Sequence, residues 1–182
     1  DMMSGSILFP PHNLANDFAI LFIETSGCLP MCGHGTIGTI TIAIEEGLIT
    51  PKIPGKIRME APAGLVEIEY KTTGKKVDWV KLKNVKSYLA AENLTVDCPE
   101  LGELTFDVSY GGNFYAIVDP QKNFSGIHNF TASKIVQYSQ IVRANINLKY
   151  PNLFVHPEDE TIKDVTHMLW TGNPLDSTSS GS

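Results

Sequence analysis

A glycine-rich segment with a single cysteine constrains the fold most: the sequence MCGHGTIG at residues 31–38. The glycines on both sides of His34 let the backbone turn sharply and come close to a ligand. An apolar run long enough for a helix follows directly. The segment therefore predicts a turn that leads through Cys32 into a helix.

This arrangement has a chemical consequence. The start of a helix carries unpaired backbone N–H groups and a partial positive charge, and together they bind anions. The same charge favours the thiolate form of Cys32. A basic sulfur beside a cradle for a small carboxylate is suited to removing a proton next to that carboxylate. The residues alone thus predict acid/base chemistry at Cys32.

The apolar run at residues 37–46 is locally ambiguous. Ile40, Ile42 and Ile44 alternate as in a strand, and β-branched residues favour strands. Ile37, Ile40 and Ile44 fit a helical stripe equally well. We predict a helix. Because the run is apolar on all sides, we expect this helix to be buried inside the domain.

Most of the remaining sequence has strand patterns. Residues 18–24 are the most apolar, and residues 64–70 alternate between apolar and charged side chains, as in a sheet with one buried face. The predicted strands are residues 6–9, 18–24, 56–60, 64–70, 77–82, 101–108 and 166–170. Residues 25–30 are predicted to be a turn that delivers Cys32, and a glycine pair at 111–112 interrupts a further strand pattern.

A second helix is predicted over residues 132–148. Thr131 or Ser133 can cap its start, and Pro151 ends it. Together, the predicted strands and helices indicate an α+β fold.

Composition excludes several classes of function. The 182 residues have a net charge of −6 and no visible basic patch, which argues against nucleic acid as a partner. The longest apolar run, residues 18–23, is far shorter than a membrane span, and no signal peptide is visible, so no membrane association is predicted. An odd number of cysteines, three, argues against a disulfide scaffold, and the cytoplasm is the default localisation.

Cys28 and Cys32 invite two other interpretations, a redox pair or, with His34, a metal site. Their spacing is Cys-x-x-x-Cys rather than the redox spacing Cys-x-x-Cys. Pro30 and the close spacing argue against a closed tetrahedral site, so no metal is predicted. Cys28 is expected to have a packing role. The remaining loop histidines are expected at the surface: His12, His128 and His156.

Several segments carry a family resemblance. The sequence ETSGCLPMCGHGTIGT at residues 24–39 resembles the catalytic-cysteine segment of the proline racemase family, and its Gly35-Thr36 ending is similar to the 4-hydroxyproline 2-epimerase branch. Residues 1–8, 61–64, 110–116 and 169–174 also resemble family segments, in the expected order. The resemblance implies an α+β fold like that of diaminopimelate epimerase. In that fold each of two lobes has a mixed, mostly antiparallel sheet wrapped around a central helix.

The resemblance also implies a function, the cofactor-independent conversion of trans-4-hydroxy-L-proline to cis-4-hydroxy-D-proline. In this family one cysteine removes the Cα proton while a cysteine from the other lobe delivers a proton to the opposite face. By this pattern Cys32 is the first of the two cysteines. The backbone N–H groups of Gly33 and His34 hold the carboxylate of a small proline-like substrate. His167 matches a substrate-contacting histidine of the family by a looser alignment. The alternative is a core role, because a histidine on an apolar strand is commonly a core residue. A homodimer is compatible with this interpretation.

Two family segments do not occur in the sequence: DRSPCGTG, which holds the second cysteine, and an N-terminal HTxGEP pattern. We therefore expect a partial chain with little activity alone. Residues 1–175 would be the first catalytic lobe, with its N-terminal part missing, and residues 176–182 would begin the crossing to a second lobe.

Four alternatives remain open at this point. Two are related enzymes, a proline racemase and a trans-3-hydroxyproline dehydratase, in which a hydroxyl residue replaces the second cysteine. The third is an inactive truncated lobe that only binds small carboxylates. The fourth is Cys–His nucleophilic catalysis, as in an acyl-transfer enzyme.

Overall fold

Two β-sheets, each with one long helix packed against its strands, dominate the computed structural model, which describes residues 3–25 and 27–178. The chain forms two compact units, residues 1–86 and 87–182. Parts of three segments from the sequence analysis lie outside the described residues. They are the first two residues of the family-like segment at 1–8, Ser26 in the segment at 24–39, and residues 179–182 of the predicted crossing segment. The assignment of residues 1–175 to one catalytic lobe stays a prediction.

The first unit holds a sheet in the order β1-β2-β4-β5-β6, with a short β3 paired to β2. Every pair is antiparallel except the parallel pair of β2 and β4. The strands are β1 Ser4–Phe9, β2 Phe18–Glu24, β3 Gly27–Leu29, β4 Lys56–Ala61, β5 Gly64–Thr73 and β6 Lys76–Lys83. Each strand predicted in this part of the sequence is confirmed, with ends that extend by a few residues.

The core of this unit comes from alternate residues of the central strands. Ile20 and Phe22 of β2 are buried with Met59 of β4 and Ile68 of β5, and Ile40 from the helix α1 (Gly33–Glu45) joins them. Each such side chain contributes about 1.5–3 kcal/mol through removal from water. Because successive side chains point to opposite faces of a strand, the position of the apolar residues determines which face of each strand meets the core.

The predicted turn at residues 25–30 is wrong in part, because β3 forms there. Leu29 pairs with Phe22 and Cys28 pairs with Ile23, so the chain runs back along the end of β2. Gly27 has φ 128°, a conformation that side-chain-bearing residues rarely adopt, and it lets the chain reverse close to β2. Leu29 is buried in the core as a result.

The ambiguous apolar run is helical, as predicted, but α1 is not buried on all sides. Ile40 and Ala43 face the core, whereas Ile37 and Ile42 are 43% and 59% exposed. The expectation of full burial is wrong because the described strands of the unit cover only one side of the helix. The opposite side is available to line a cavity.

The second unit has the sheet order β10-β9-β8-β7, in which β10 runs parallel to β9 and the other pairs are antiparallel. Its elements are β7 Tyr88–Cys98, β8 Gly102–Tyr110, β9 Phe114–Val118, α2 Ala132–Lys149 and β10 Val165–Trp170. The helix α2 packs on β7 and β10, and the Thr131 hydroxyl accepts a hydrogen bond from the Lys134 N–H at 3.3 Å. The predicted second helix and its cap are confirmed.

β7 has no counterpart in the sequence-based prediction. Most of its side chains are exposed or half-buried, so its sequence lacks a clear apolar alternation. Two register irregularities, near Asn93 with its φ of 55°, weaken the period further. The two mixed, mostly antiparallel sheets with their helices agree with the predicted α+β class. Within the described residues, no helix is long and apolar enough to span a membrane.

Candidate active site

Cys32 lies at the cap position of α1, directly before the first helical residue, and its side chain is buried, with the residue 9% exposed. Its backbone is extended, and its carbonyl accepts two hydrogen bonds from Thr36. The backbone N–H donates one at 2.9 Å and the hydroxyl donates the other at 2.8 Å. These bonds hold Cys32 at the start of the helix, where the sequence places it.

Three backbone amides lie ahead of the first hydrogen bond inside this helix. Because Thr36 donates that bond to Cys32, the N–H groups of Gly33, His34 and Gly35 belong to the end of α1 that attracts anions. The first turn of α1 carries no acidic side chain. A carboxylate that bound there would meet no like charge from this turn.

The Cys32 sulfur is confined on one side by the helix itself. A Cβ atom built on Gly35 would lie 3.0 Å from Sγ of Cys32 and 3.2 Å from Cδ1 of Phe22. Such distances are shorter than ordinary contacts, so the sulfur occupies space that only a glycine leaves open. The exposed His34 ring approaches the sulfur, with each ring nitrogen 3.7 Å from Sγ.

A cavity of about 440 Å³ adjoins this sulfur. Its volume lies in the range of roughly 300–1,000 Å³ that is typical of small-molecule sites. Apolar side chains from β1, β2, β3 and the region of α1 form most of its wall: Leu8, Phe22, Ile23, Leu29, Ile42, Ala43 and Leu48. Polar side chains occur at Ser4, Ser6, Glu24, Cys32 and Thr39.

His167 lies in the second unit, on β10, and is half-buried. Its Nδ1 is 2.9 Å from the Thr166 hydroxyl, and its ring stacks on Tyr115 with centroids 4.8 Å apart. Tyr115 is also its register partner on β9. The structure thus brings Cys32, Gly33 and His34 together in the first unit and places His167 in the other. The substrate role of His167 stays a prediction.

The other two cysteines have different environments. Cys28 is exposed on β3 and Cys98 is buried at the end of β7. Burial, reinforced by the charge of Glu100, raises the pKa of the Cys98 thiol to about 11. In the part of the chain that the structure describes, no cluster of three His, Cys, Asp or Glu side chains could hold a metal ion.

The three histidines predicted at the surface differ in their exposure. His12 and His128 are exposed, whereas His156 is half-buried, with its ring 4.9 Å from the Tyr110 ring. His156 is therefore only partly at the surface, because the Tyr110 ring packs against it.

Sequence analysis missed the contributions of Phe22 and of the Ser6 and Thr39 hydroxyls to the cavity. Phe22 looks like any core residue of an apolar strand. One sequence signal for Ser6 is its position two residues before the apolar Leu8, because alternate residues of a strand lie on one face. In the structure Leu8 is half-buried.

Comparisons with known proteins extend over almost the whole chain. A sequence model of the family described as Proline racemase matches residues 1–181. The 4-hydroxyproline 2-epimerase of Spirosoma linguale is 62% identical over 98% of this chain and 53% of that protein. The 4-hydroxyproline epimerase of Brucella ovis is 56% identical over 96% of this chain and 52% of that protein. The chain therefore spans about half the length of the curated relatives it matches.

Solved structures also resemble this one. A probable proline racemase from Agrobacterium radiobacter K84, with bound carbonate, matches with a TM-score of 0.83 and 26% identity over 98% of this chain and 52% of that chain. A hydroxyproline epimerase from Agrobacterium vitis, with bound trans-4-hydroxy-L-proline, matches with a TM-score of 0.84 and 25% identity over 98% of this chain and 51% of that chain.

Proposed function

The chain belongs to the proline racemase family, and we propose that its natural protein inverts Cα of 4-hydroxyproline without a cofactor. The product of trans-4-hydroxy-L-proline would be cis-4-hydroxy-D-proline. The observation that carries this proposal is the Cys32 sulfur, placed at the start of α1 beside a cavity of small-molecule size. The names of the relatives from Spirosoma linguale and Brucella ovis support the choice of substrate.

The chemical difficulty is the weak acidity of a Cα–H next to an ionised carboxylate. In the proposed step the Cys32 thiolate takes the Cα proton, and negative charge moves onto the carboxylate oxygens. The N–H groups of Gly33 and His34 donate hydrogen bonds to those oxygens and stabilise the charge as it develops. The mostly apolar wall of the cavity strengthens these interactions by limiting water.

A second group then delivers a proton to the opposite face of Cα, so one proton leaves the substrate and one arrives. In the reverse direction Cys32 is the acid and the second group is the base. Among the described cysteines, Cys98 is poorly suited to act as the base in the reverse direction, because a thiol with a pKa of about 11 is rarely a thiolate at neutral pH. We assign the second group to a lobe that follows a crossing at 176–182, with residues 1–175 as the first catalytic lobe. His167 would contact the substrate.

Hydrogen exchange in deuterated water tests the proposal. The complete natural polypeptide that contains these residues is incubated with trans-4-hydroxy-L-proline and followed by proton NMR. We expect deuterium at Cα and the appearance of the cis-D epimer, and we expect the variant Cys32→Ser to lose both. The variant Cys28→Ser is the matched control and should retain both. Epimerisation that persists in Cys32→Ser would contradict the assignment of Cys32.

The same assay separates the alternatives. Faster exchange into L-proline than into hydroxyproline would identify a proline racemase, and loss of water from trans-3-hydroxy-L-proline would identify the dehydratase. A burst of product from an activated ester without Cα exchange would indicate acyl transfer. For the 182-residue chain alone we expect carboxylate binding without epimerisation. Size-exclusion chromatography of the natural polypeptide tests the predicted homodimer.

A further inference from the structure

The proposed reaction leaves the enzyme in a different protonation state after each turnover. When Cys32 removes the Cα proton of the L substrate, its thiolate becomes a thiol, and the second group loses the proton that it delivers. Another L substrate can react only after Cys32 has given its proton to solvent and the second group has gained one. A route for protons between the Cys32 sulfur and water is therefore part of the catalytic cycle.

The sulfur itself has little direct access to water. Cys32 is buried and belongs to the apolar core cluster of the first unit, together with side chains such as Phe22 and Leu29. Proton transfer requires a group that can donate or accept a hydrogen bond, and hydrocarbon side chains can do neither. A polar group in contact with the sulfur is needed to connect it to solvent.

The His34 ring is such a group. Its two nitrogens, Nδ1 and Nε2, each lie 3.7 Å from Sγ of Cys32, a distance that the large sulfur atom allows for a weak hydrogen bond. In neutral imidazole one nitrogen carries a proton and the other accepts one. Because both nitrogens are equally distant from Sγ, either tautomer presents an acceptor to the thiol.

The same ring is accessible to water. His34 is exposed, whereas Cys32 is buried, so the imidazole extends from the buried sulfur to the surface of the unit. Two hydrogen bonds from Thr36 to the Cys32 carbonyl fix the chain at this point, which keeps the two side chains together. Imidazole accepts and releases protons readily near neutral pH. A ring that contacts both the thiol and water can carry a proton in either direction.

We propose that the His34 ring is the proton relay of Cys32, in addition to the carboxylate contact of the His34 backbone N–H. After an L-to-D turnover the S–H bond of Cys32 breaks and its proton forms an N–H bond on the ring, which leaves a thiolate beside an imidazolium. The imidazolium then gives a proton to water. After a D-to-L turnover the same steps run in reverse and return a proton to the thiolate. The inference rests on the proposed function and adds the residue that resets Cys32.

Steady-state kinetics of the complete natural polypeptide test the relay. At low substrate concentration the enzyme has time to reset between encounters, so kcat/KM reports binding and Cα proton removal but not the reset. At saturating substrate the reset is part of every turnover. We therefore expect His34→Ala to lower kcat for trans-4-hydroxy-L-proline on the order of 100-fold, the scale of a lost acid–base group, and to leave kcat/KM nearly unchanged.

Imidazole in the buffer gives a second readout. His34→Ala leaves space beside the sulfur, so we expect added imidazole to restore kcat of this variant in proportion to its concentration and to leave the wild type unchanged. His34→Gln also lacks a relay and provides an independent kinetic result if His34→Ala does not fold. Both variants keep the backbone N–H of residue 34. His12→Ala is the matched control, because His12 is exposed in the loop before β2 and should retain both kinetic constants.

A purely structural role of the His34 ring predicts different behaviour. If the ring only packs against the Cys32 side chain, its removal would misplace the sulfur and lower kcat and kcat/KM together. That result, a wild-type kcat in His34→Ala, or a loss of kcat that imidazole does not restore would overturn the inference alone. A wild type that shows no Cα exchange would overturn the inference and the proposed function together.

Discussion

Substitution of Gly35 by alanine offers a sensitive test of how the Cys32 sulfur is held. In an ordinary helix position, alanine is more favourable than glycine by about 1 kcal/mol. At Gly35 the new methyl group would lie 3.0 Å from Sγ of Cys32 and 3.2 Å from the Phe22 ring. Overpacking of a buried site costs typically about 1–3 kcal/mol, which cancels or exceeds the gain in helix propensity.

Gly38→Ala is the matched control, because a Cβ on Gly38 would meet no atom within 4 Å and Gly38 belongs to the same helix. We expect Gly38→Ala to raise the free energy of unfolding by about 0.4–1 kcal/mol. Gly35→Ala should leave it unchanged or lower it by up to about 2 kcal/mol, as the difference of the two opposing effects. Urea denaturation of both variants, monitored by circular dichroism, measures this difference.

The clash at Gly35 should also move the sulfur, since Sγ of Cys32 is the atom nearest to the new methyl group and Phe22 is buried in the core. A displacement of about 1 Å at a reacting atom can cost on the order of 100-fold in rate. At Gly35 the required shift is a few tenths of an ångström, so we expect Gly35→Ala to slow Cα exchange by less than that factor. If Gly35→Ala is as stabilising as Gly38→Ala and exchanges at the wild-type rate, the space at this glycine does not confine the sulfur.

Two further predictions concern titratable groups. At pH 8 we expect iodoacetamide to modify the exposed Cys28 and to spare Cys98, because burial raises the pKa of Cys98 to about 11. Mass spectrometry of the intact protein and its peptides reports the order of modification. Early modification of Cys98 would contradict its burial. Hydrogen bonds from Lys134 and Tyr138 lower the pKa of Glu100, so its charged form stabilises the folded state above the unfolded-state pKa and this contribution is lost as pH falls through the folded-state pKa. The difference in unfolding free energy between wild type and Glu100→Gln should accordingly be larger at pH 7 than at pH 3, and a difference independent of pH would contradict the role of the charge.

The sequence predicts those parts of the fold in which the local pattern and the tertiary environment agree. β2 is a long apolar run, α2 has a capping threonine and a terminating proline, and both form as expected. β7 is not predicted because most of its side chains are exposed or half-buried and its apolar residues do not alternate regularly. β3 is not predicted because it forms only through pairing with the end of β2. Both strands are stabilised by pairing with the strand next to them in the sequence rather than by a clear apolar pattern of their own.

The candidate site divides in the same way. Cys32 and its neighbouring amides can be predicted because helix-start chemistry resides in consecutive residues. The position of Phe22 beside the space that Gly35 leaves open and the bond of Ser6 to Thr39 involve residues that are 13 and 33 positions apart in the sequence. A strand and a helix must pack before either contact exists, so these contributions become visible only in three dimensions.

The composition of α1 links these findings to function. Its first turns contain three glycines, Gly33, Gly35 and Gly38, and at an open position in a helix interior glycine costs about 1 kcal/mol relative to alanine. A helix selected for stability alone would not retain them, and local rules are usually broken where a site requires it. Gly35 and Gly38 both line the cavity, where their missing side chains leave room beside the sulfur and along the helix. Burial of Ile40 and the Thr36 bonds to Cys32 offset part of this loss, so the helix keeps its start while one side stays open for a ligand.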